Sequence, residues 1–144
     1  VERSAWAHGT DREEGAAAID AIVAKFQDNG YLNDRIYAEI RAGSLFRRGS
    51  SLRAIRYQLS TKGIAEDIIE ATILGLIEEQ PNPDRRAAVA YGKRRRIGPW
   101  RGDRRDEFRD RDLAALGRQG FSYEIARWVV EAETADELEA FTDY

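Results

Sequence analysis

The residues of this chain best suited to bind a charged partner are arginines and lysines concentrated in one stretch. Eleven of them lie between Arg85 and Arg111, and four follow one another at positions 93–96. Successive residues of a helix are turned by about 100°, so these four side chains would form a broad positive collar around a helix. A guanidinium group donates paired hydrogen bonds to a phosphate or a carboxylate. The stretch therefore predicts contact with nucleic-acid phosphates or with an acidic groove of a protein.

Two groups of basic residues make up the candidate binding site. The first forms the collar and its continuation, namely Lys93, Arg94, Arg95, Arg96, Arg101, Arg104 and Arg105. The second lies earlier in the chain and comprises Arg47, Arg48, Arg53, Arg56 and Lys62. Each group has an alternative interpretation. The collar could be a solvated face neutralised by nearby Asp and Glu side chains, and Arg47 and Arg48 could serve only as cations at the negative end of a helix dipole.

The residue types that most enzymes and metal sites need are scarce. The chain has no cysteine and a single histidine, His8, which excludes a zinc site built from Cys and His ligands. The Gly-Pro-Trp-Arg-Gly run at 98–102 lacks the lysine and the spacing of a phosphate-binding P-loop. No pattern brings two carboxylates together in an apolar pocket. We therefore expect a protein that is not an enzyme, with no catalytic residue, metal or cofactor.

The hydropathy pattern bears on where the protein acts. No stretch approaches the roughly 20 consecutive apolar residues of a membrane span, and no basic-then-apolar leader opens the sequence. The absence of cysteine is compatible with a reducing compartment. Because the chain starts at Val1 and contains no methionine, we expect that its start has been trimmed. These patterns favour a cytoplasmic protein that makes no contact with a membrane.

The elements that must position the basic residues are helices arranged in a repeat. Three segments (26–40, 59–73 and 116–130) place a glycine four residues after an apolar residue, and a large apolar residue directly after the glycine. This pattern is typical of a helix that ends at a left-handed glycine and is followed by a second helix packed back on the first. No alternating strand pattern competes with it. The periodicity predicts helices near 12–28, 34–47, 51–61, 65–78, 84–97, 104–118 and 122–132.

Some side chains have a predicted structural role. Short polar residues before the helices can accept a backbone N–H and so act as N-caps; the candidates are Asn33, Ser50 or Ser51, and Ser122. Trp128 lies on an apolar stripe and is expected in the core, while Trp100 is expected to anchor the loop after Gly98-Pro99 rather than to stack on a base. The tyrosines expected to pack between helices are Tyr31, Tyr37 and Tyr57.

The two ends of the chain differ from the helical body. Residues 1–11, with His8, are expected to be a flexible segment. At the other end, six acidic residues and no basic one lie between Glu131 and Tyr144, so residues 133–144 are expected to form an acidic tail. Two interpretations of this tail stay open. It could be a disordered, solubilising end, or it could mask the basic collar by charge.

The order of these elements resembles the RecX family of recombination regulators. The resemblance is carried by GYLNDRIYAEIRAGSLFRRGSS at 30–51, LRAIRYQLSTKGIAEDIIEATI at 52–73, AYGKRRRIGPWR at 90–101 and LGRQGFSYEIARWVV at 116–130. It implies an all-α fold of tandem three-helix repeats in a curved, elongated arrangement. Within one domain at 12–132, the repeat helices would lie near 12–47, 51–97 and 104–132.

The same resemblance implies a regulatory role. It points to binding of RecA filaments on single-stranded DNA and to inhibition of the recombinase, ATPase and coprotease activities of RecA, which would modulate DNA repair and the SOS response. The expected partners are the RecA filament and single-stranded DNA, reached directly or through the filament, and the protein would act as a monomer. Two alternatives remain: a helix-turn-helix DNA-binding protein that acts as a transcription factor, and a helical-repeat scaffold for another acidic partner.

Overall fold

The computed structural model describes residues 12–142, and it describes side chains from residue 30 onwards. Within this range the chain is all-helical and contains no strand, as the sequence predicts. None of the described helices combines the length and the apolar character that crossing a bilayer requires. The helices are α1 (Arg12–Arg47), α2 (Leu52–Thr61), α3 (Glu66–Glu79), α4 (Pro83–Arg95), α5 (Arg109–Arg118), α6 (Tyr123–Glu131) and α7 (Ala135–Thr142). A 3₁₀ turn, Gly98–Trp100, lies between α4 and α5.

The chain divides into two compact units, Val1–Tyr37 and Ala38–Tyr144. The described residues of the first unit all belong to α1. The second unit holds the end of α1, the other helices and all the predicted binding residues. The predicted flexible segment 1–11, with His8, lies outside the described residues, and the proposed domain limits stay predictions.

The predicted helix break at Asn29-Gly30 is wrong, because α1 continues through both residues. Asn33 accordingly lies inside a helix and is not an N-cap. A glycine inside a helix costs only about 1 kcal/mol relative to alanine, so a stop also needs packing that favours a turn. In the same pattern, the apolar residues that follow Gly63 and Gly120, Ile64 and Phe121, are buried, whereas Tyr31 after Gly30 is 46% exposed. Among the described residues, Tyr31 therefore gains no core packing that would favour a turn over the continuing helix.

The other two predicted glycine stops, and two of the predicted caps, are confirmed. Gly63 and Gly120 have positive φ angles of 80° and 91° and follow the ends of α2 and α5. The Ser51 side chain accepts a hydrogen bond from the Ala54 N–H at 3.0 Å, and the Ser122 hydroxyl accepts one from Ile125 at 3.2 Å. Local sequence therefore defines both helix–turn–helix connections.

The core of the second unit consists of two apolar clusters. The first joins the end of α1 to α2 and α3 and includes the fully buried Ile55 and Leu59. The second joins α4, α5, α6 and α7 around Leu116 and Val129. Phe46, near the end of α1, packs against both clusters. The second unit is thus built from two successive helical groups, one of three helices and one of four, each around its own core. The curved arrangement stays a prediction.

Two features of the second half differ from the sequence prediction. The helix expected from residue 104 begins only at Arg109, because Arg104 has a φ of 58° and a left-handed residue cannot continue a right-handed helix. The interpretation of the chain end as disordered is wrong for Ala135–Thr142, which forms α7. Leu138 is buried and Phe141 packs edge-on against Trp128 at 5.1 Å between ring centroids. These two apolar side chains, three residues apart, pack this acidic helix against the second cluster, and Arg86 donates a hydrogen bond to the Thr142 carbonyl at 3.1 Å.

Candidate binding surface

The two predicted groups of basic residues meet where the turn after α1 touches α4. A Cβ atom added to Gly49 would lie 2.6 Å from the Tyr91 backbone nitrogen, so the two backbones are in direct contact. Arg47 and Arg48 immediately precede Gly49. On the other side, the guanidinium carbons of Arg94 and Arg95 lie 5.9 and 5.8 Å from the centroid of the Tyr91 ring. Residues more than forty positions apart in the sequence thereby share one surface.

A third segment, the turn after α5, joins the same surface. The Ser51 hydroxyl donates a hydrogen bond of 2.7 Å to the Gln119 carbonyl. A Cβ atom added to Gly120 would lie 3.5 Å from the Cβ of Arg53. Arg118, in the last turn of α5, is exposed directly before this contact. Sequence reasoning missed Arg118, although its place two residues before a glycine with positive φ matches that of Arg47.

We call the resulting set the arginine junction. Its members are all exposed, and no carboxylate of the described part of the chain forms an ion pair with any of them. Exposed guanidinium groups without a counter-charge are available to carboxylates or phosphates of a partner. The arginine junction comprises Arg47, Arg48, Arg53, Arg94, Arg95, Arg96 and Arg118.

Three of the predicted collar residues form hydrogen bonds within the molecule instead. Arg101 donates two hydrogen bonds, of 2.8 and 2.6 Å, to the buried carboxylate of Asp112, and these bonds raise the pKa of Arg101. Arg105 donates to the carbonyl groups of Val130 and Ala132 at the end of α6. Arg104 chelates the Glu107 carboxylate at 2.8 and 2.6 Å. The guanidinium groups of these three arginines therefore already have hydrogen-bond acceptors within the protein.

The remaining predicted residues lie outside the arginine junction. Arg56 forms an ion pair with Glu70 of α3, and the Lys93 ammonium lies 3.1 Å from the Glu139 carboxylate. Lys62 is exposed at the end of α2. That end is about 15 Å from the Ser51 end, given a rise of about 1.5 Å per residue. The structure thus groups six of the predicted arginines with Arg118, and it leaves Arg56, Lys62 and Lys93 outside the arginine junction.

The acidic helix α7 covers one side of α4. Glu139 accepts hydrogen bonds from Lys93 and from the Trp100 indole, the latter at 3.3 Å, and these bonds lower the pKa of Glu139. The Trp100 ring also packs on Gly92, so its predicted role as a loop anchor is confirmed. The masking of basic charge by the acidic end reaches Lys93 but, among the described contacts, none of the three arginines that follow it.

We expect Glu139→Gln to release Lys93 and to tighten binding of single-stranded DNA about twofold at low salt, because one more cation becomes available to phosphates. The measurement is fluorescence anisotropy with a labelled oligonucleotide at two salt concentrations, and the gain should vanish at the higher one. Glu78→Gln makes the same change in net charge on an exposed position of α3. Equal gains from both variants would show a general charge effect and contradict masking by Glu139.

The interpretation of three tyrosines as residues packed between helices is wrong. The side chains of Tyr31, Tyr37 and Tyr57 are 46%, 40% and 65% exposed. On α2 the reason is the register: Ile55 and Leu59 face the core, and Tyr57, two residues from each, faces the opposite side. The apolar character of tyrosine predicts burial, but the position of Tyr57 on the helix determines that its side chain is exposed.

The described residues contain no group of three or more acidic or histidine side chains arranged to hold a metal ion. The arrangement around the arginine junction instead suits non-covalent contact with an anionic surface. It combines exposed guanidinium groups with a rigid support, since the backbone contacts at Gly49 and Gly120 hold the three contributing segments together.

Comparison with known proteins gives a family model and relatives that all carry the same family name. Residues 33–73 match the family model described as "RecX, second three-helix domain". The chain is 39% identical over 137 residues to the "Regulatory protein RecX" of Myxococcus xanthus, covering 94% of this chain and 72% of that protein. It is 34% identical over 113 residues to the protein of the same name from Agrobacterium fabrum, covering 78% of this chain and 58% of the relative. No solved structure matches the chain.

Proposed function

Because the chain belongs to the RecX family of regulatory proteins, we propose that it binds RecA filaments on single-stranded DNA and inhibits the RecA recombinase. One observation carries the proposal for this chain: seven exposed arginines from three segments form one surface without carboxylate partners. In this proposal the protein is not an enzyme and acts in the cytoplasm as a monomer. Its effect on the ATPase and coprotease activities of RecA would modulate DNA repair and the SOS response.

The proposed mechanism is steric and electrostatic. The arginine junction would contact acidic side chains in the filament groove and phosphates of the bound strand. A stable contact of this kind needs to bury roughly 1,000 Å² or more, and a contact shared by two neighbouring RecA protomers would bridge them. A bridged filament end would then lose or fail to add protomers, so a small amount of the regulator would act on a long filament.

The alternative of a helix-turn-helix transcription factor is disfavoured by the charge of α3. In such a protein the second helix of the motif enters the major groove between two rows of phosphates. The sequence of α3, EDIIEATILGLIEE, contains five acidic residues and no basic one. Phosphates would repel this helix. The second alternative, a scaffold for another acidic partner, would use the same arginine junction. The RecA assay described next distinguishes such a scaffold from a RecA regulator.

The test is RecA ATP hydrolysis on single-stranded DNA during titration with this protein far below the RecA concentration. Loss of activity at low ratios is the expected result, because capping or destabilising a filament needs few molecules. The double variant Arg94→Ala/Arg95→Ala should need about tenfold more protein for half inhibition, since a hydrogen bond to a charged group is worth about 1.5–3 kcal/mol.

The matched control is Arg104→Ala/Arg111→Ala, which removes the same net charge outside the arginine junction. We expect this control to inhibit RecA as the unaltered protein does. Loss of ATPase activity only at near-saturating amounts would indicate that the protein merely coats DNA. Equal defects in both double variants would show that total charge matters and the junction does not.

A further inference from the structure

Tyr57 combines high exposure with a cationic surrounding. Its side chain is 65% exposed on the face of α2 opposite Ile55 and Leu59, so the ring does not contribute to core packing. Arg53 lies four residues earlier, so both side chains project from the same face about 6 Å apart along the axis. The adjacent Arg56 forms an ion pair with Glu70 of α3, so the charge of Glu70 is already neutralised. An exposed aromatic ring therefore stands next to a cation without a counter-charge.

The Arg53 end of this face continues into the arginine junction. The Cβ of Arg53 lies 3.5 Å from the position that a Cβ of Gly120 would take, and Arg118 is exposed at the start of the same turn. Anionic groups held by Arg53 and Arg118 would belong to a chain that passes alongside Tyr57. This geometry fits a polymer with regularly spaced negative charges and flat apolar groups between them.

Resting on the proposed function, we propose that Tyr57 stacks on an unpaired base of single-stranded nucleic acid while Arg53 and Arg118 hold the flanking phosphates. Every base has a π-face on which an aromatic ring can stack, independent of sequence. In a duplex these faces are covered by the neighbouring base pairs, so a tyrosine ring cannot stack on them, although the phosphates and the base edges in the grooves remain accessible. Tyr57 would thus give the protein a preference for single strands over duplex, which arginines alone cannot provide.

Tyr123 offers an internal comparison. Its side chain is 64% exposed, almost the same as Tyr57, at the start of α6. Two cations lie near it, Arg127 on the same helix and Arg109 at the start of α5, and both donate to Glu131. Glu124 follows Tyr123 directly. The cations beside the Tyr123 ring are therefore both paired with a carboxylate, unlike Arg53 beside Tyr57. Exposure alone would make the two tyrosines equivalent, whereas the proposal requires that only Tyr57 binds a base.

The experiment uses the full chain and two labelled probes, a single-stranded oligothymidine and a duplex hairpin of equal length, followed by fluorescence anisotropy. Tyr57→Ala should weaken binding of the single strand about fivefold or more, the loss typical of one removed stacking contact. Binding of the duplex should stay unchanged. Tyr57→Phe keeps the ring and should bind both probes as the unaltered protein does, and so should Tyr123→Ala.

Several outcomes would overturn the proposal. It fails if Tyr57→Ala binds the single strand normally, if it loses duplex binding equally, or if the unaltered protein binds neither probe. RecA ATPase inhibition, measured in parallel, separates this failure from that of the proposed function. An unaltered protein that inhibits RecA but binds no oligonucleotide overturns base stacking and leaves RecA regulation standing. A Tyr57→Ala variant that binds both probes normally but no longer inhibits RecA would assign Tyr57 to a protein contact.

Discussion

Replacement of Gly49 by alanine is expected to lower the free energy of unfolding by about 3 kcal/mol or more. Gly49 has a φ of 95°, and an added Cβ would lie 2.6, 2.7 and 2.8 Å from the N, Cβ and Cα atoms of Tyr91. Two costs therefore add: the left-handed strain of a residue with a side chain, and a clash with backbone that no side-chain rotation relieves. Tyr91 is buried in the second core cluster, so the clash would displace α4.

Gly63→Ala separates these two costs. Gly63 has a φ of 80°, but a Cβ there would meet nothing within 4 Å. This variant should lose only about 1–2 kcal/mol, the strain alone. Urea unfolding followed by circular dichroism gives both values. Similar losses for the two variants would mean that the backbone contact between Gly49 and Tyr91 is loose, and with it the support of the arginine junction.

Asp112→Ala should destabilise the protein by about 3 kcal/mol, because removing one partner of a buried ion pair leaves the other charge without compensation. The Asp112 side chain is 4% exposed and that of Arg101 is 24% exposed. One oxygen of the carboxylate also accepts the Gly98 N–H at 3.3 Å. The variant would therefore strand both a guanidinium group and a buried backbone donor in the loop that follows α4.

Glu107→Ala is the matched control for this prediction. It removes a carboxylate that accepts two hydrogen bonds from Arg104, with the same distances as in the Arg101–Asp112 pair. Both side chains of the Arg104–Glu107 pair, however, are more than half exposed. Exposed pairs add little to stability because water and salt screen them. Thermal unfolding should show a clear drop for Asp112→Ala and almost none for Glu107→Ala. Equal, small shifts would show that water reaches Asp112.

Local rules predicted those parts of the fold that depend on a few neighbouring residues. The caps at Ser51 and Ser122 and the stops at Gly63 and Gly120 each involve contacts within one turn of helix. Gly30 shows the limit of such rules. The same residue type, in the same pattern, lies inside a helix because the choice between stop and continuation depends on what packs beyond the glycine.

The candidate site was predictable in composition but not in arrangement. The run of arginines was visible, yet Arg101 and Arg105 bind acceptors 11 and at least 25 residues away, and only tertiary structure selects such partners. The contact between Gly49 and Tyr91 has no counterpart in any local pattern. The hydrophobicity of Tyr57 predicts burial, but in the register of α2 it is Ile55 and Leu59 that face the core, and Tyr57 lies on the opposite face.

The position of Phe46 between the two core clusters has a consequence for how the protein loses its structure. In repeat proteins, total stability is the sum of the intrinsic stability of each repeat and of the interfaces between neighbours. A side chain shared by two clusters contributes to such an interface, so partial opening of one cluster removes packing from the other. We therefore expect amide hydrogens in α2 and α5 to exchange with solvent at similar rates, through one common opening rather than two independent ones.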